Sequence, residues 1–283
     1  MTLLASNPGL WVGMVFVFAL MLGSFLNVVI HRLPKMLEAQ WHEQCAELKG
    51  EVPPSRPAYN LLVPASACPA CGHAIAPRHN LPVIGWLWLR GRCHHCSAKI
   101  SGRYPLVELL TAVLAAAAAW RFGFGWSALA AITLICALVA LAFIDLDTSL
   151  LPDSVTQPLL WLGLLVNLDG LFAPLPDALI GAVAGYLLLW AVYWAFKLAT
   201  GKEGMGYGDF KLLAALGAWL GWQQLPLVIL ASSLVGALTG IGLIVFARHD
   251  RRVPIPFGPY LAGGGVLALL AGPALLGLWL HAA

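Results

Sequence analysis

The chain has 283 residues, of which 60% are hydrophobic and 10% are charged, and its mean hydropathy is +0.82. Soluble globular proteins carry about 25% charged residues, so this composition excludes an ordinary soluble enzyme. It also excludes a disordered chain, because disorder requires low hydrophobicity. The net charge of +3 does not indicate a nucleic-acid partner, and none is predicted. Most of the chain is therefore predicted to lie in a lipid bilayer.

Eight apolar segments are predicted to span the membrane, since a spanning helix needs about 20 apolar residues. The first, from about residue 10 to 30, is interpreted as a retained helix because no small-residue cleavage motif follows it. The other seven are predicted near residues 105–121, 126–144, 155–172, 177–199, 210–222, 225–247 and 258–280. The segment 210–222 is short, which is typical of a half-helix or a tilted helix. Gly181 and Gly185 form a GxxxG motif that predicts close helix packing.

The basic residues predict the orientation of these helices. Eight spans place both termini on one side of the membrane, and 15 of the 16 Lys and Arg residues then fall on one side, with Arg121 on the other. Cytoplasmic loops carry the excess of Lys and Arg in membrane proteins. The polar stretch between the first two spans is therefore predicted to face the cytoplasm.

This polar stretch contains four of the six cysteines, arranged as two CxxC pairs. Cys68 and Cys71 form the first pair, Cys93 and Cys96 form the second, and 21 residues lie between them. Four thiolates directed at one centre are the ligands that tetrahedral zinc prefers. Two disulfides are an alternative that a cytoplasmic location opposes, and a redox site needs only one pair. A closed site of four cysteines has no open position for substrate, so the zinc is predicted to be structural.

Other cysteines and histidines near this pattern have smaller predicted roles. Cys45 lies outside the pattern and Cys136 lies inside a predicted span, so both are expected to be unliganded. His73, His94 and His95 are close enough in sequence to replace one of the four cysteines as a ligand.

Acidic residues at the ends of predicted spans are candidates for catalysis, because ionisable groups in a membrane are costly and usually functional. Asp145 and Asp147 end one span, and Asp153 opens the next. Asp209 follows a glycine-rich run, whose glycines let a substrate strand approach the backbone closely. Two adjacent carboxyl groups share one proton, so one can activate a water molecule while the other protonates a leaving amide. The alternative is that these acids cap helices or pair with Lys211, and spacing does not choose between Asp145 and Asp147.

Glu108 is a further acid, placed in the first turn of the predicted second span. Two interpretations remain open at this residue. It is either a charge at a helix N-terminus, where the helix dipole favours it, or a polar contact inside the protein.

Five stretches spread over most of the chain resemble the type IV prepilin peptidases. These are the bifunctional leader peptidases and N-methyltransferases of type IV pilus and type II secretion systems. The matching stretches are residues 23–34, the two CxxC pairs with 80–82 and 89–93, residues 103–108, 143–153 and 206–211. A lone GxGD motif would be weak evidence, whereas all five stretches in this order are a specific match.

The resemblance implies an intramembrane aspartic protease of the GxGD type, with Asp145 and Asp209 as its catalytic pair. It further implies cleavage of the basic leader of prepilins and pseudopilins, after a glycine at the cytoplasmic face of the bacterial inner membrane. The new N-terminal residue, often Phe, is then methylated from S-adenosylmethionine. Methyl transfer is attributed to the cytoplasmic domain, and Gly91 is associated with it. One departure is at residues 64–67, where the family usually carries a basic residue.

The predicted fold class is an all-α polytopic membrane protein with about eight transmembrane helices and a small zinc-binding cytoplasmic domain between helices 1 and 2. Its predicted domains are the first transmembrane helix (1–33), the cytoplasmic zinc domain linked to methyl transfer (34–104) and a seven-helix intramembrane aspartic protease domain (105–283). The sequence gives neither the S-adenosylmethionine site nor the oligomeric state.

Two other classes of protein compete with this interpretation. A transporter also uses intramembrane acids and broken helices, but its acids are expected near the middle of the membrane rather than at the ends of spans. A membrane scaffold, whose zinc domain recruits a partner, explains the cysteines and leaves the GxGD motif unexplained. A scaffold should tolerate replacement of the aspartates by asparagine, which separates it from a protease.

Overall fold

The computed structural model describes residues 2–51, 58–246 and 255–282. Within these ranges the protein is helical, and its only extended pairings are two isolated β-bridges. The helices are α1 (Thr2–Ser6), α2 (Pro8–Leu48), α3 (Ile84–Trp88), α4 (Arg103–Phe122), α5 (Trp126–Thr148), α6 (Asp153–Val166), α7 (Leu175–Thr200), α8 (Tyr207–Leu220), α9 (Leu225–Phe246) and α10 (Gly258–Ala282).

Six helical segments in the described ranges are long and apolar enough to cross a membrane, as expected for a multi-pass membrane protein. They are α2, α4, α5, α7, Trp222–Leu243 and Gly258–Leu275. The helices α6 and α8 have only 14 residues each, which is too short to cross a bilayer without help from neighbouring segments. The helix α6 is shorter than the span predicted at 155–172, whereas α8 is about as long as the short segment predicted at 210–222. The all-α membrane fold is therefore confirmed, whereas the count of eight spans is not.

The predicted orientation depends on the placement of Lys and Arg residues and stays a prediction. Four of the basic residues that support it lie outside the described ranges, namely Arg56, Arg248, Arg251 and Arg252. The end of the predicted span 225–247 also falls beyond the described part of α9, which is followed to Phe246.

The first long helix extends further than the sequence predicts. Its predicted end is near Pro34, where polar residues begin, but α2 continues to Leu48 and has 41 residues. Pro34 lies buried inside the helix. A proline in a helix removes one backbone hydrogen bond and disturbs the preceding turn, but surrounding contacts can keep the helix intact. The beginning of the predicted cytoplasmic domain is therefore a continuation of the first helix.

The chain divides into two compact units, Met1–Trp120 and Arg121–Ala283, called here unit 1 and unit 2. In unit 1, α2 and α4 approach closely at Gly23, where a β-carbon would lie 2.6 Å from the Cα atom of Glu108. One turn later the side-chain amide of Asn27 donates a hydrogen bond to the carbonyl of Tyr104 at 3.0 Å. A small residue and a polar clamp thus join the two long helices of this unit.

The centre of unit 2 is α8, whose residues 212–220 are all buried. The helices α6, α7 and α10 pack against it, and α10 also packs against α5 and α9. An apolar helix covered on all sides has no need to span a bilayer. The predicted GxxxG contact is confirmed, because Gly181 and Gly185 of α7 face the backbone of α8 at Gly217 and Leu213 without room for a β-carbon.

A buried amide fixes the C-terminal end of α8. The side-chain amide of Asn167 donates hydrogen bonds to the carbonyls of Ala218 and Trp219, both at 2.9 Å. Its oxygen accepts hydrogen bonds from the backbone N–H groups of Phe172 and Ala173. All four bonds of the buried amide are made, so the end of this helix is held in one position.

Candidate active site and metal centre

Two carboxyl groups from distant parts of the chain meet inside unit 2. Asp145 lies in the last turn of α5, and Asp209 lies in the first turn of α8. Both are buried, with 5% and 7% of their surface exposed. The groups are close enough for the charge of Asp145 to act on Asp209. Two neighbouring buried carboxyl groups are not stable if both are charged, which is the condition under which such a pair holds a single proton.

A backbone N–H group holds the side chain of Asp145. Gly258, the first residue of α10, donates a hydrogen bond to Oδ2 of Asp145 at 2.9 Å. A β-carbon at this position would lie 2.6 Å from the same oxygen, so only glycine fits. The positive end of the α10 dipole also favours a carboxylate here. Gly258 was not among the predicted site residues, and its signal in the sequence is the run Pro256-Phe257-Gly258-Pro259 at the start of the last apolar segment.

Asp209 has a different environment. Its backbone N–H donates to the carbonyl of Gly206 at 3.2 Å, which starts the helix. Its side-chain oxygen Oδ1 is buried and has no hydrogen-bond partner among the described residues. Buried polar atoms in proteins nearly always have a partner, so this oxygen is suited to contact a substrate or a water molecule.

The two glycines of the GxGD motif differ in their surroundings. At Gly208 a β-carbon would lie 2.7 Å from the Cβ atom of Leu151, so the loop after α5 fills the space beside it. At Gly206 the nearest atom to such a β-carbon is Oδ2 of Asp209, at 3.8 Å. The expectation that both glycines leave room for a substrate strand is therefore wrong for Gly208.

The neighbouring acids do not join the buried pair. Asp147 is exposed and is the last residue but one of α5. Asp153 begins α6 and accepts two hydrogen bonds from the Lys211 ammonium group, each 2.7 Å long. The geometry therefore separates Asp145 from Asp147, which spacing alone does not. The alternative of ion pairing with Lys211 applies to Asp153.

The loop before Asp209 is fixed against the C-terminal end of α7. Lys197 donates hydrogen bonds to the carboxylate of Glu203 at 2.8 Å and to the hydroxyl of Tyr193 at 3.1 Å. Tyr207, which lies between the two glycines of the motif, packs against Tyr193 with ring centroids 5.3 Å apart. These contacts hold the loop between α7 and α8 against the C-terminal end of α7, immediately before the chain begins α8.

The four paired cysteines of unit 1 form one cluster. The sulfur atoms of Cys68, Cys71, Cys93 and Cys96 all lie within 4.8 Å of one another, and all four are free thiols. The distance from Cys68 to Cys96 is 3.8 Å. Tetrahedral zinc with Zn–S bonds of about 2.3 Å requires sulfur atoms about 3.8 Å apart. The donor set and its spacing fit zinc, and the disulfide alternative does not describe this geometry.

The two CxxC pairs adopt matching turns. In each, the first cysteine's carbonyl accepts a hydrogen bond from the N–H four residues later, at Gly72 and at Ser97, and both of those residues have positive φ. Backbone N–H groups of Cys96 and His95 also point at the Cys93 sulfur and lower the pKa of its thiol to about 6. Desolvation and hydrogen bonds with the neighbouring thiols raise the pKa of Cys96 to about 11, so Cys93 is the thiol of this pair that ionises first. The histidines lie beside this cluster, and four sulfurs suffice to complete it.

Gly91 has a structural role that its position in the sequence does not reveal. Its φ is +66°, and a β-carbon there would lie 2.9 Å from the ring of Trp86. The indole N–H of Trp86 donates to the carbonyl of Ile100 at 3.2 Å, and the N–H of Ile100 donates to the carbonyl of Gly91. Gly91 therefore permits the indole to lie over the start of the second knuckle.

Glu108 makes a polar contact inside unit 1. It is the sixth residue of α4 and is 7% exposed, so the interpretation as a charge in the first helical turn is wrong. Its Oε2 atom accepts a hydrogen bond from the N–H of Val83 at 2.7 Å, and Ser24 is a further partner. Val83 has a φ of +59°, which is strained for a β-branched residue. The buried carboxylate thus holds the segment between the knuckles in an unfavourable backbone conformation.

Comparison with known proteins gives matches over both units. The profile of the bacterial peptidase A24 N-terminal domain matches residues 17–122, and that of the type IV leader peptidase family matches residues 132–241. No solved structure matches significantly.

Curated relatives match over nearly the whole chain. A prepilin leader peptidase/N-methyltransferase from Aeromonas hydrophila is 62% identical, over 95% of this chain and 93% of its own. Proteins of the same name from Pseudomonas aeruginosa and Burkholderia pseudomallei are 55% and 52% identical, over 98% and 95% of this chain and 96% and 88% of their own. Identity at this level over full-length chains establishes common ancestry, and the chain belongs to the type IV leader peptidase family.

Proposed function

We propose that this protein removes the basic leader of prepilins and pseudopilins and then methylates the new N-terminus, with Asp145 and Asp209 as the catalytic pair. The observation that carries the protease assignment is the buried pair itself. Two carboxyl groups from different helices, 64 residues apart in the chain, lie buried together, and neither forms an ion pair among the described residues. A purely structural role does not explain such a costly arrangement.

The surroundings of the two aspartates suggest their separate roles. The N–H of Gly258 stabilises negative charge on Asp145, so Asp145 is the base that removes a proton from the attacking water. Asp209 carries the shared proton and delivers it as the amide nitrogen leaves. The water oxygen bonds to the peptide carbon, the C–N bond breaks, and the two protons end on the new carboxyl and amino termini.

The placement of the pair fits a scissile bond at the membrane boundary. Asp145 ends an apolar helix of 23 residues, and Asp209 begins a short helix at the centre of unit 2. We assign this boundary to the cytoplasmic face of the bacterial inner membrane, following the charge distribution. A glycine before the cut weakens the substrate helix, which must unwind before its peptide bond can be hydrolysed.

We assign methyl transfer to residues 34–104, and zinc to the cluster of four cysteines. Zinc would hold the two knuckles together, and its closed ligand set leaves no position for substrate. S-adenosylmethionine supplies the methyl group when bound. The Glu108 carboxylate and the Gly91–Trp86 contact shape the segment between the knuckles, so they act on methyl transfer through that segment.

Intact mass spectrometry of a verified prepilin, incubated with the purified protein and S-adenosylmethionine, tests this function. Loss of the leader together with the addition of one methyl group is the expected result. Asp145→Asn should abolish cleavage, whereas the matched control Asp147→Asn, exposed on the same helix, should cleave normally. An unchanged substrate with the wild-type protein would instead favour the transporter or scaffold.

A further inference from the structure

An apolar groove lies within unit 2, between α7, α9 and α10. Its volume is about 420 Å³, and its walls include Leu188, Val192, Ile229, Ala237, Phe257 and Tyr260. Pockets that bind ligands in proteins have volumes of about 300–1,000 Å³. The groove is therefore large enough for several apolar side chains of a bound segment.

Two residues that line the groove are chain neighbours of residues that contact Asp145 and Asp209. Phe257 lines the groove, and the next residue is Gly258, whose N–H binds Asp145. Met205 also lines it, and the next residue is Gly206, whose carbonyl binds the N–H of Asp209. The groove is therefore one residue along the chain from the backbone groups that contact each aspartate, and a segment seated in it can extend towards the pair.

The chemistry of the walls selects the occupant. The described residues that line the groove include no charged side chain, and its polar members are Ser233 and Tyr260. The Tyr260 hydroxyl is already within 2.8 Å of the Thr239 hydroxyl on α9. A basic leader would find no acidic partner here, whereas apolar side chains can pack against these walls without leaving a polar group unpaired.

We propose that this groove binds the first apolar helical turns of the mature part of the substrate, on the C-terminal side of the scissile bond. The proposal rests on the proposed function, since it names the site where the substrate of that reaction is held. A lipid acyl chain has the same apolar chemistry. It would, however, give no reason for the groove to share its walls with the backbone that holds both aspartates.

Filling the groove from opposite walls tests the proposal. Ala237→Phe on α9 and Val192→Trp on α7 should each raise KM for prepilin cleavage at least about tenfold, with a smaller change in kcat. Val235→Trp is the matched control, because it makes the same change as Val192→Trp at a similarly exposed valine of α9 that lies outside the groove. The Ala237→Phe variant should regain cleavage of a prepilin whose first mature turn has alanine in place of its large apolar residues. The smaller side chains of this substrate would fit the narrowed groove.

The rescue separates a blocked groove from a misfolded protein, since a misfolded variant would cleave neither substrate. Wild-type kinetics in both groove variants would overturn the proposal, and so would equal losses in the control. A photoreactive residue at position 237 that captures lipid and never prepilin would also overturn it. Failure of the proposed function is distinct, because the wild-type protein would then cleave no prepilin at all.

Discussion

The two sites of this protein are built in different ways. The cysteine cluster of unit 1 consists of two local turns, each supplying a pair of ligands from four consecutive residues. The aspartate pair of unit 2 is assembled from the end of α5, the start of α8 and the N-terminus of α10, over more than 100 residues of chain. The geometry of the cysteine cluster is determined largely by the sequence spacing of its two CxxC pairs. The geometry of the aspartate pair depends on the packing of the whole of unit 2.

This difference predicts different consequences of mutation. A change in a knuckle should act locally, on metal content and on the segment between the knuckles. A change at any of the three elements around the aspartates should act on cleavage. The two activities should therefore be separable by single substitutions.

Outside the two aspartates themselves, the largest effect is expected for Gly258→Ala. The added β-carbon would lie 2.6 Å from Oδ2 of Asp145, so the hydrogen bond to the carboxylate and the alignment of the pair are lost. Cleavage should fall by about 10²–10⁴-fold, the usual contribution of a positioned acid or base. Gly263→Ala on the same helix is the control, because open space surrounds that position. Equal activity of the two variants in a prepilin cleavage assay would contradict the account.

Cys68→Ser should have the next largest effect, on metal and methyl transfer. Removing one of four thiolates should reduce zinc to near zero in the purified protein, measured by elemental mass spectrometry. Methylation of a pre-cleaved pilin should then fall at least about tenfold. Cleavage should fall much less. Cys45→Ser, an exposed position outside the cluster, should keep both zinc and methylation. Zinc absent from the wild-type protein would remove this argument.

A smaller loss of methyl transfer is expected at Gly91. Gly91→Ser should displace the Trp86 indole, and Trp86→Ala should reproduce most of the loss. The double variant should be no worse than either single one, because both changes remove the same contact. Gly50→Ser is the control, since Gly50 has a similar positive φ but open space around it. Losses that multiply in the methylation assay would instead show that Gly91 acts independently of the indole.

The smallest effect is expected for the ion pair between Asp153 and Lys211. Exposed pairs contribute about 0.2–1 kcal/mol, so Lys211→Met should reduce cleavage at most about fivefold. Asp153→Asn should cause a similar loss, and the double variant should lose no more than either. High salt should narrow the difference from wild type, because it screens exposed charges. A loss comparable to that of Gly258→Ala would give Lys211 a direct role in catalysis.

Much of the fold follows from the sequence, and the errors have physical causes. Hydropathy identifies the long helices, but it also identifies α6 and α8 as spans. Those two helices are short, and α8 owes its apolar character to burial by other helices rather than to contact with lipid. The end of α2 is misplaced because a buried proline does not interrupt it.

The sequence predicts the local cysteine cluster more completely than it predicts the aspartate pair, which packing assembles. The cluster of four cysteines follows from the spacing of the two CxxC pairs, since local turns fix its geometry. Physical reasoning finds Asp145, Asp147, Asp153 and Asp209 together, and only a resemblance to relatives chooses among them. Gly258 and Val83 are missed because their roles lie in contacts with Asp145 and Glu108, far away in the chain.

The most direct test of the central claim is a cycle of three variants, Asp145→Asn, Asp209→Asn and the double variant, assayed for cleavage of prepilin and methylation of a pre-cleaved pilin. Two groups that act as one unit lose their whole contribution when either is removed. All three variants should therefore show the same low residual cleavage, while methylation stays near the wild-type rate. Substantial cleavage by either single variant, or losses that multiply in the double variant, would contradict the assignment of this pair.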